Sequence, residues 1–313
     1  MSGSDRAALG NEVRGGSPPV PGGEHASDAG PALGRAIGYL VRRPGLAFGL
    51  GIVSVLAVGA VLASVLAPFP GDAANDTNLL GALLPPGGAH PLGTDLAGRD
   101  VWSRILFGIR ISVGVSVVVI VASLLVGVPI GLFAGAVGGK LDDLLMRIVD
   151  VFLAFPSLLL ALAIAATLGP SMEHAAIAIV VSWWPWYARL MRGEAAAVRG
   201  RAYVEAALLL GIPRWRVALR HILPNAIGPI IVQASLDLGG VILTFAALSF
   251  LGLGAQDPTP EWGLMVEQGR TLTSTQPWVA IFPGAAIMVA ALAFTLLGEG
   301  LRERLDPKGL ARS

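Results

Sequence analysis

Six apolar runs dominate this chain, near Leu46–Pro68, Ile111–Val137, Val149–Leu168, Ala175–Leu190, Ala226–Gly254 and Val279–Gly298. A helix needs about 20 apolar residues to cross the hydrocarbon core of a bilayer. In lipid every backbone N–H and C=O must bond within its own segment, so runs of this kind predict an all-α membrane protein with six transmembrane helices. The charge content agrees: only 14% of residues are charged, against about 25% in soluble domains. The third run contains Pro156, which removes a backbone donor and predicts a kink. The fourth is shorter and crowded by Trp183, Trp184 and Trp186.

The distribution of basic residues orients the spans. With the N-terminus inside, the inner segments 1–45, 138–148, 189–225 and 299–313 hold 18 of the 22 lysines and arginines. The outer segments keep Arg99, Arg104, Arg110 and Arg270. This is the positive-inside pattern, with both termini cytoplasmic in an inner membrane; a five-span alternative loses it. Residues 1–32 are rich in Gly, Pro and Ser and read as a disordered cytoplasmic tail without the apolar core of a signal peptide. Residues 309–313 form a short C-terminal tail.

Some chemistries lack their residues. There are no cysteines, which excludes disulfides, thiolate metal sites and cysteine nucleophiles. The histidines (His25, His90, His174 and His221) are scattered, without an HExxH pair. The net charge of +1 creates no field for nucleic acid, and no metal site is expected. Neither Lys140 nor Lys308 completes a GxxxxGK[ST] loop, so any ATP chemistry belongs to another polypeptide.

The cytoplasmic loop between the fourth and fifth runs is the most informative stretch. Within RGRAYVEAALLLGIPRWRVALRHILPN, Tyr203, Ala206, Ala207 and Leu210 share one helical face. Gly211 follows at a left-handed C′ position and Pro213 suits the first residue of a second helix. In that helix Trp215, Leu219 and Ile222 share one face, Arg216 and Arg220 another, and Pro224 begins the next span. Helix, turn, helix is thus expected, either lying on lipid headgroups or docking to a partner.

Here a resemblance enters. The spacing Glu205, Ala206, Ala207, Gly211, Leu223 and Pro224 resembles the EAA motif of bacterial ABC-import permeases, with His221 at the usual isoleucine position and Ile222 beside it. Residues 90–116, Asp150–Ala161, Leu248–Gly263 and Leu297–Pro307 resemble the C-type subunits of dipeptide, oligopeptide and nickel permeases, with Asp257 where a proline is common. The resemblance implies a type I ABC importer permease fold, with residues 33–90 as an N-terminal region holding the first helix and 91–308 as the permease domain. It implies a coupling hairpin that meets an ATPase subunit through Arg201, Glu205, Ala206, Ala207, Gly211, Pro213, Arg214, Leu223 and Pro224. It implies a second homologous permease subunit, two ATPase subunits that use ATP and magnesium, and an extracytoplasmic substrate-binding protein. This chain itself would bind no cofactor and be no enzyme. The cargo implied is a dipeptide or short oligopeptide, with nickel or another small solute as the alternative.

Individual residues carry two readings each. Asp237 lies deep in the fifth run, where a carboxylate is costly and needs a partner or a cavity; it either lines the transport path or bonds to neighbouring helices. Pro156 is a path candidate through its kink, and Trp186 through a ring platform. Trp183, Trp184, Trp186 and Tyr187 together also read as an interfacial aromatic belt. Arg147 and Asp150 are spaced to pair within one helix. Asp95, Arg99, Asp100 and Arg104 either meet a binding protein or pair among themselves. Other classes fare worse: Ser249 has no histidine nearer than His221 for a serine protease, Asp237 alone is thin for a secondary transporter, and no ring of charges marks a channel.

Overall fold

The computed structural model describes residues 44–73 and 76–305. The described residues all belong to one compact unit. The tails expected over 1–32 and 309–313 lie outside the described residues.

The long helices follow the apolar runs: α1 (Pro44–Leu66), α2 (Val101–Val137), α3 (Gly139–Leu153), α4 (Ser157–Leu168) and α5 (Met172–Arg199). After a hairpin of α6 (Ala202–Leu209) and α7 (Arg214–Val217) come α8 (Leu223–Phe250), the short α9 (Trp262–Gly269) and α10 (Trp278–Leu305). Isolated bridges at Gly87–His90 and Thr94–Asp100 are the only β features among the described residues.

Four helical stretches are long and apolar enough to cross a membrane among the described residues: α1, α2, the run Arg214–Phe250, and Trp278–Glu303 of α10. The α3–α4 pair makes a fifth if taken as one broken span, bent by 81°. The bend falls where Pro156 was expected to act. Proline disfavours α geometry at Phe155 and donates no N–H, so α3 stops and α4 restarts with Pro156 at its N-cap. The fourth expected span sits inside α5, whose 28 residues reach about 42 Å. Arg189, Arg192 and Glu194 in its second half keep it below the apolarity of the other four. The second span starts ten residues earlier than its apolar run, because Asp100 caps α2 by accepting from the Ser103 N–H.

The main packing seam joins α2 to α5. Gly127, Gly131 and Gly135 repeat every four residues, and a methyl group at each would collide with backbone oxygen of Trp184, Ala188 and Arg192 in turn. The register advances in the same direction on both helices, so they run parallel, backbone against backbone, as small residues allow in a bilayer. One core cluster forms around this seam, including Val119, Leu132, Ile179, Met191 and Phe245. A second joins α1 and α2 to α9 and α10 through Ala63, Ile109, Trp262 and Phe294.

The helix ends gather at two poles. At the hairpin pole, Arg192 of α5 pairs with Asp142 of α3 at 2.7 Å. At the loop pole, Ser171 N–H before α5 bonds Leu253 O after α8. Here also Trp278 Nε1–H donates to Thr94 O at 3.2 Å, and Trp262 Nε1–H to Ile105 O at 3.1 Å.

Candidate functional site

The hairpin has the local geometry the sequence predicted at its turn. Gly211 adopts φ +80°, and Ile212 N–H bonds Ala207 O while Gly211 N–H bonds Leu208 O. This is a complete Schellman turn, which the left-handed glycine permits. The second arm differs from expectation. Pro213 is the N-cap of α7 rather than its first residue, and α7 continues through a π-turn (Ala218–Ile222) straight into α8. Leu223 N–H there reaches back five residues to Ala218 O. Widening the turn makes room for the Pro224 ring, which would otherwise press on the Arg220 carbonyl.

Of the face expected to meet lipid or a partner, Tyr203, Ala206 and Leu210 point outward and only Ala207 does not. Val204, Ala207, Val217, Ala218 and Ile222 pack into the core with Met191, Ala195 and Val198 of α5. Ala207 is therefore inside, 6% exposed, and only Ala206 of the pair faces out. Tyr203, Leu209, Leu210, Trp215 and Leu219 form an exposed apolar surface, with Leu209 and Leu210 at 90% and 82% exposure. Arg201, Glu205, Gly211, Pro213, Arg214 and Pro224 are exposed around it, and Leu223 is half-buried. Ile222, expected beside Trp215 and Leu219, points inward because the π-turn rotates the later residues. The hairpin is thus fixed to the bundle on one side and presents apolar area on the other.

Asp237 has intrachain partners for both oxygens. Tyr187 Oη–H donates to Oδ2 at 2.8 Å and Gln233 Nε2–H to Oδ1 at 2.9 Å. Tyr187 is fully buried and so takes no part in an interfacial aromatic belt. Trp183 packs on the core and Trp184 meets Phe152 edge-on at 5.3 Å, which leaves Trp186 as the exposed ring. Helical rotation of 100° per residue scatters four consecutive-looking aromatics over different faces. Asp150 does not pair with Arg147 either; its partner is Arg189 of α5. The i, i+3 spacing allowed the local pair, but α5 brings a guanidinium closer from 39 residues away.

At the loop pole the mixed charges pair among themselves. Asp95, Arg99, Asp100 and Arg104 are all buried. Asp95 Oδ2 accepts from Arg99 Nε at 2.8 Å and lies 3.6 Å from Arg104 Nε. Arg99 Nη2 also donates to Asp257 at 3.0 Å, joining this loop to the one after α8. Burial pulls the Arg99 guanidinium down, but Asp95 and Asp257 outweigh it and hold its pKa above the usual value. His90 Nδ1 lies 2.9 Å from Asp100 Oδ1, its ring stacked on Phe69. Glu261 is fully buried and caps α9 through the N–H groups of Gly263 and Leu264; desolvation raises its pKa.

Sequence reasoning missed a cavity of about 520 Å³ at the hairpin pole, lined by Leu190 and Glu194 of α5, Val232, Gln233 and Leu236 of α8, and Arg302 of α10. The four-residue spacing of Gln233 and Asp237 was a signal for their bond. Nothing local linked Glu194 to Arg302. No group of ligating residues suited to a metal ion occurs among the described residues.

Comparison with known proteins places this geometry. Residues 127–309 match the family described as binding-protein-dependent transport system inner membrane component. The probable D,D-dipeptide transport system permease protein DdpC of Escherichia coli K12 is 47% identical over 234 residues, 75% of this chain and 78% of that one. The dipeptide transport system permease protein DppC of the same organism is 45% identical over 86% of this chain and 91% of its own. The glutathione transport system permease protein GsiD of Pectobacterium atrosepticum is 41% identical over 86% and 89%. Among solved structures, a chain of the MetNI methionine ABC transporter in an inward facing conformation superposes with a TM-score of 0.52 at 15% identity, covering 64% of this chain and 95% of that chain; this likeness concerns the fold.

Proposed function

The chain belongs to the family of binding-protein-dependent transport system inner membrane components, and from that premise we propose that it carries dipeptides or short oligopeptides through the membrane within an ATP-driven importer. It is the permease component. The names of its relatives support the cargo: dipeptide, D,D-dipeptide and glutathione are all short peptides or peptide-like. In this reading the chain makes six passages, with α3–α4 as one broken passage and α5 as another, and both termini lie in the cytoplasm. It pairs with a second permease subunit and works with two ATPase subunits and an extracytoplasmic binding protein. ATP and magnesium are handled by the ATPases.

One observation carries the coupling role. The hairpin is anchored in the core by Val204, Ala207 and Ile222, yet exposes Tyr203, Leu209, Leu210 and Trp215. Such an apolar patch on a soluble-facing element marks a protein contact. A hairpin that cannot flex on its own bundle transmits the movement of a docked ATPase to α5 and α8, between which it is strung. The loop pole, tied together by Arg99 and Asp257, is the side that receives the loaded binding protein.

The test is ATP-dependent uptake of a labelled dipeptide into proteoliposomes holding the co-expressed complex, with Glu205→Arg alongside. Uptake by the unaltered complex and its loss in the variant, with the binding protein still loading peptide, is the expected result. ATP hydrolysis stimulated by nickel or another solute, without dipeptide uptake, overturns the cargo and leaves the importer.

A further inference from the structure

The cavity at the hairpin pole has a chemical asymmetry that the hairpin does not use. Its α5 wall carries the carboxylate of Glu194, its α10 wall the guanidinium of Arg302, and α8 supplies the amide of Gln233 between them. Among the described residues no ion pair joins Glu194 to Arg302. Leu190, Val232 and Leu236 provide apolar wall. At about 520 Å³ the space falls within the range of small-molecule sites, about 300–1,000 Å³.

We propose that this cavity is a vestibule for a zwitterionic short peptide, with Glu194 receiving its ammonium end and Arg302 its terminal carboxylate. The inference rests on the peptide-importer reading above and assigns the site within it. A short peptide at neutral pH carries one positive and one negative end and little else in common with its fellows. A cavity that must accept many sequences has only those two ends, and the amide between, to recognise. Arg offers a planar fork that matches a carboxylate with two N–H donors. An ionised carboxylate only accepts hydrogen bonds, which suits the N–H donors of an ammonium group. The Gln233 amide, with its nitrogen engaged on Asp237, keeps a carbonyl oxygen that accepts from a peptide N–H. The apolar wall tolerates side chains without selecting among them. From Gln233 a polar column continues through Asp237 to Tyr187, which leads from the cavity into the bundle between α5 and α8. A phosphatidylethanolamine headgroup presents the same two charges, but the column into the protein offers nothing to its acyl chains.

The absence of cysteine from the chain makes the test direct. Leu236→Cys is introduced into the complete complex in vesicles, and its alkylation by a maleimide is followed on this chain. The probes are Ala-Ala, N-acetyl-Ala-Ala and Ala-Ala-amide, in vesicles with and without phosphatidylethanolamine. Ala-Ala is expected to slow alkylation about tenfold more than either blocked form, the scale of one charge-assisted hydrogen bond. Glu194→Gln should make the free and acetylated peptides equivalent, and Arg302→Gln the free and amidated ones. Equal protection by all three probes overturns the proposal, as does protection that follows phosphatidylethanolamine instead of peptide. No protection by any probe in a complex that imports labelled Ala-Ala overturns the site and spares the importer reading. Failure of that import by the unaltered complex overturns the cargo reading instead.

Discussion

The hydroxyl of Tyr187 donates to Oδ2 of Asp237 at 2.8 Å, linking α5 to α8 inside the bundle. With Gln233 on the other oxygen, the carboxylate is satisfied without cargo. Tyr187→Phe removes one donor and is expected to lower the stability of the purified chain by roughly 1–3 kcal/mol, the penalty for stranding a buried polar group. Asp237→Asn keeps an acceptor for Tyr187 and should retain uptake. Melting curves in detergent and uptake assays read the two effects. Uptake lost in Asn with unchanged melting would give Asp237 a role in the path.

The α2–α5 seam makes a sharper prediction. A methyl group at Gly131 meets the Ala188 oxygen and the Met191 side chain, whereas one at Gly114 meets nothing within 4 Å. Gly131→Ala is therefore expected to destabilise by about 1–3 kcal/mol through overpacking. Gly114→Ala should raise or leave stability, since alanine is the better helix former. Thermal aggregation of the two proteins, measured side by side, decides this; equal melting would mean that the helices part at no cost.

Hairpin geometry and hairpin surface separate by mutation. Gly211 sits at φ +80° in open space, so Gly211→Ala costs about 1–2 kcal/mol through backbone strain alone. Leu210→Glu touches an exposed side chain and should leave melting unchanged while the ATPase subunits no longer copurify. Copurification at the usual yield would remove the apolar surface from the contact.

The loop pole should respond to acid. Burial pushes the Asp257 carboxyl up, but hydrogen bonds from Arg99 and Gln268 and the nearby guanidinium charges outweigh it and hold its pKa below the ordinary 3.8. A carboxylate lowered on folding stabilises above its unfolded pKa, and that contribution fades as pH falls through the folded pKa. Asp257 is more than half exposed, so the effect is less than about 1 kcal/mol. Asp257→Asn should melt slightly below the unaltered chain at neutral pH, and the gap should close in acid below the carboxylate range. A gap that does not change with pH would show that the pair contributes nothing ionic.

Local features were legible from the sequence because local forces decide them. The left-handed turn at Gly211, the break at Pro156 and the apolar lengths of α1, α2, α8 and α10 follow from backbone sterics and transfer of side chains out of water. The spacing of Glu205, Ala206, Ala207 and Gly211 was enough to mark the hairpin and, with the flanking motifs, the family. Tertiary structure decided the partners. Asp150 chose Arg189 over Arg147, Tyr187 went to the core to meet Asp237, and Ala207 turned inward while Tyr203 and Leu210 turned out. Glu194 and Arg302, over 100 residues apart in the chain, came to one cavity. Each of these depends on which face of a helix its neighbour covers. Periodicity shows that a face exists, and only the packing of the other helices says what lies against it.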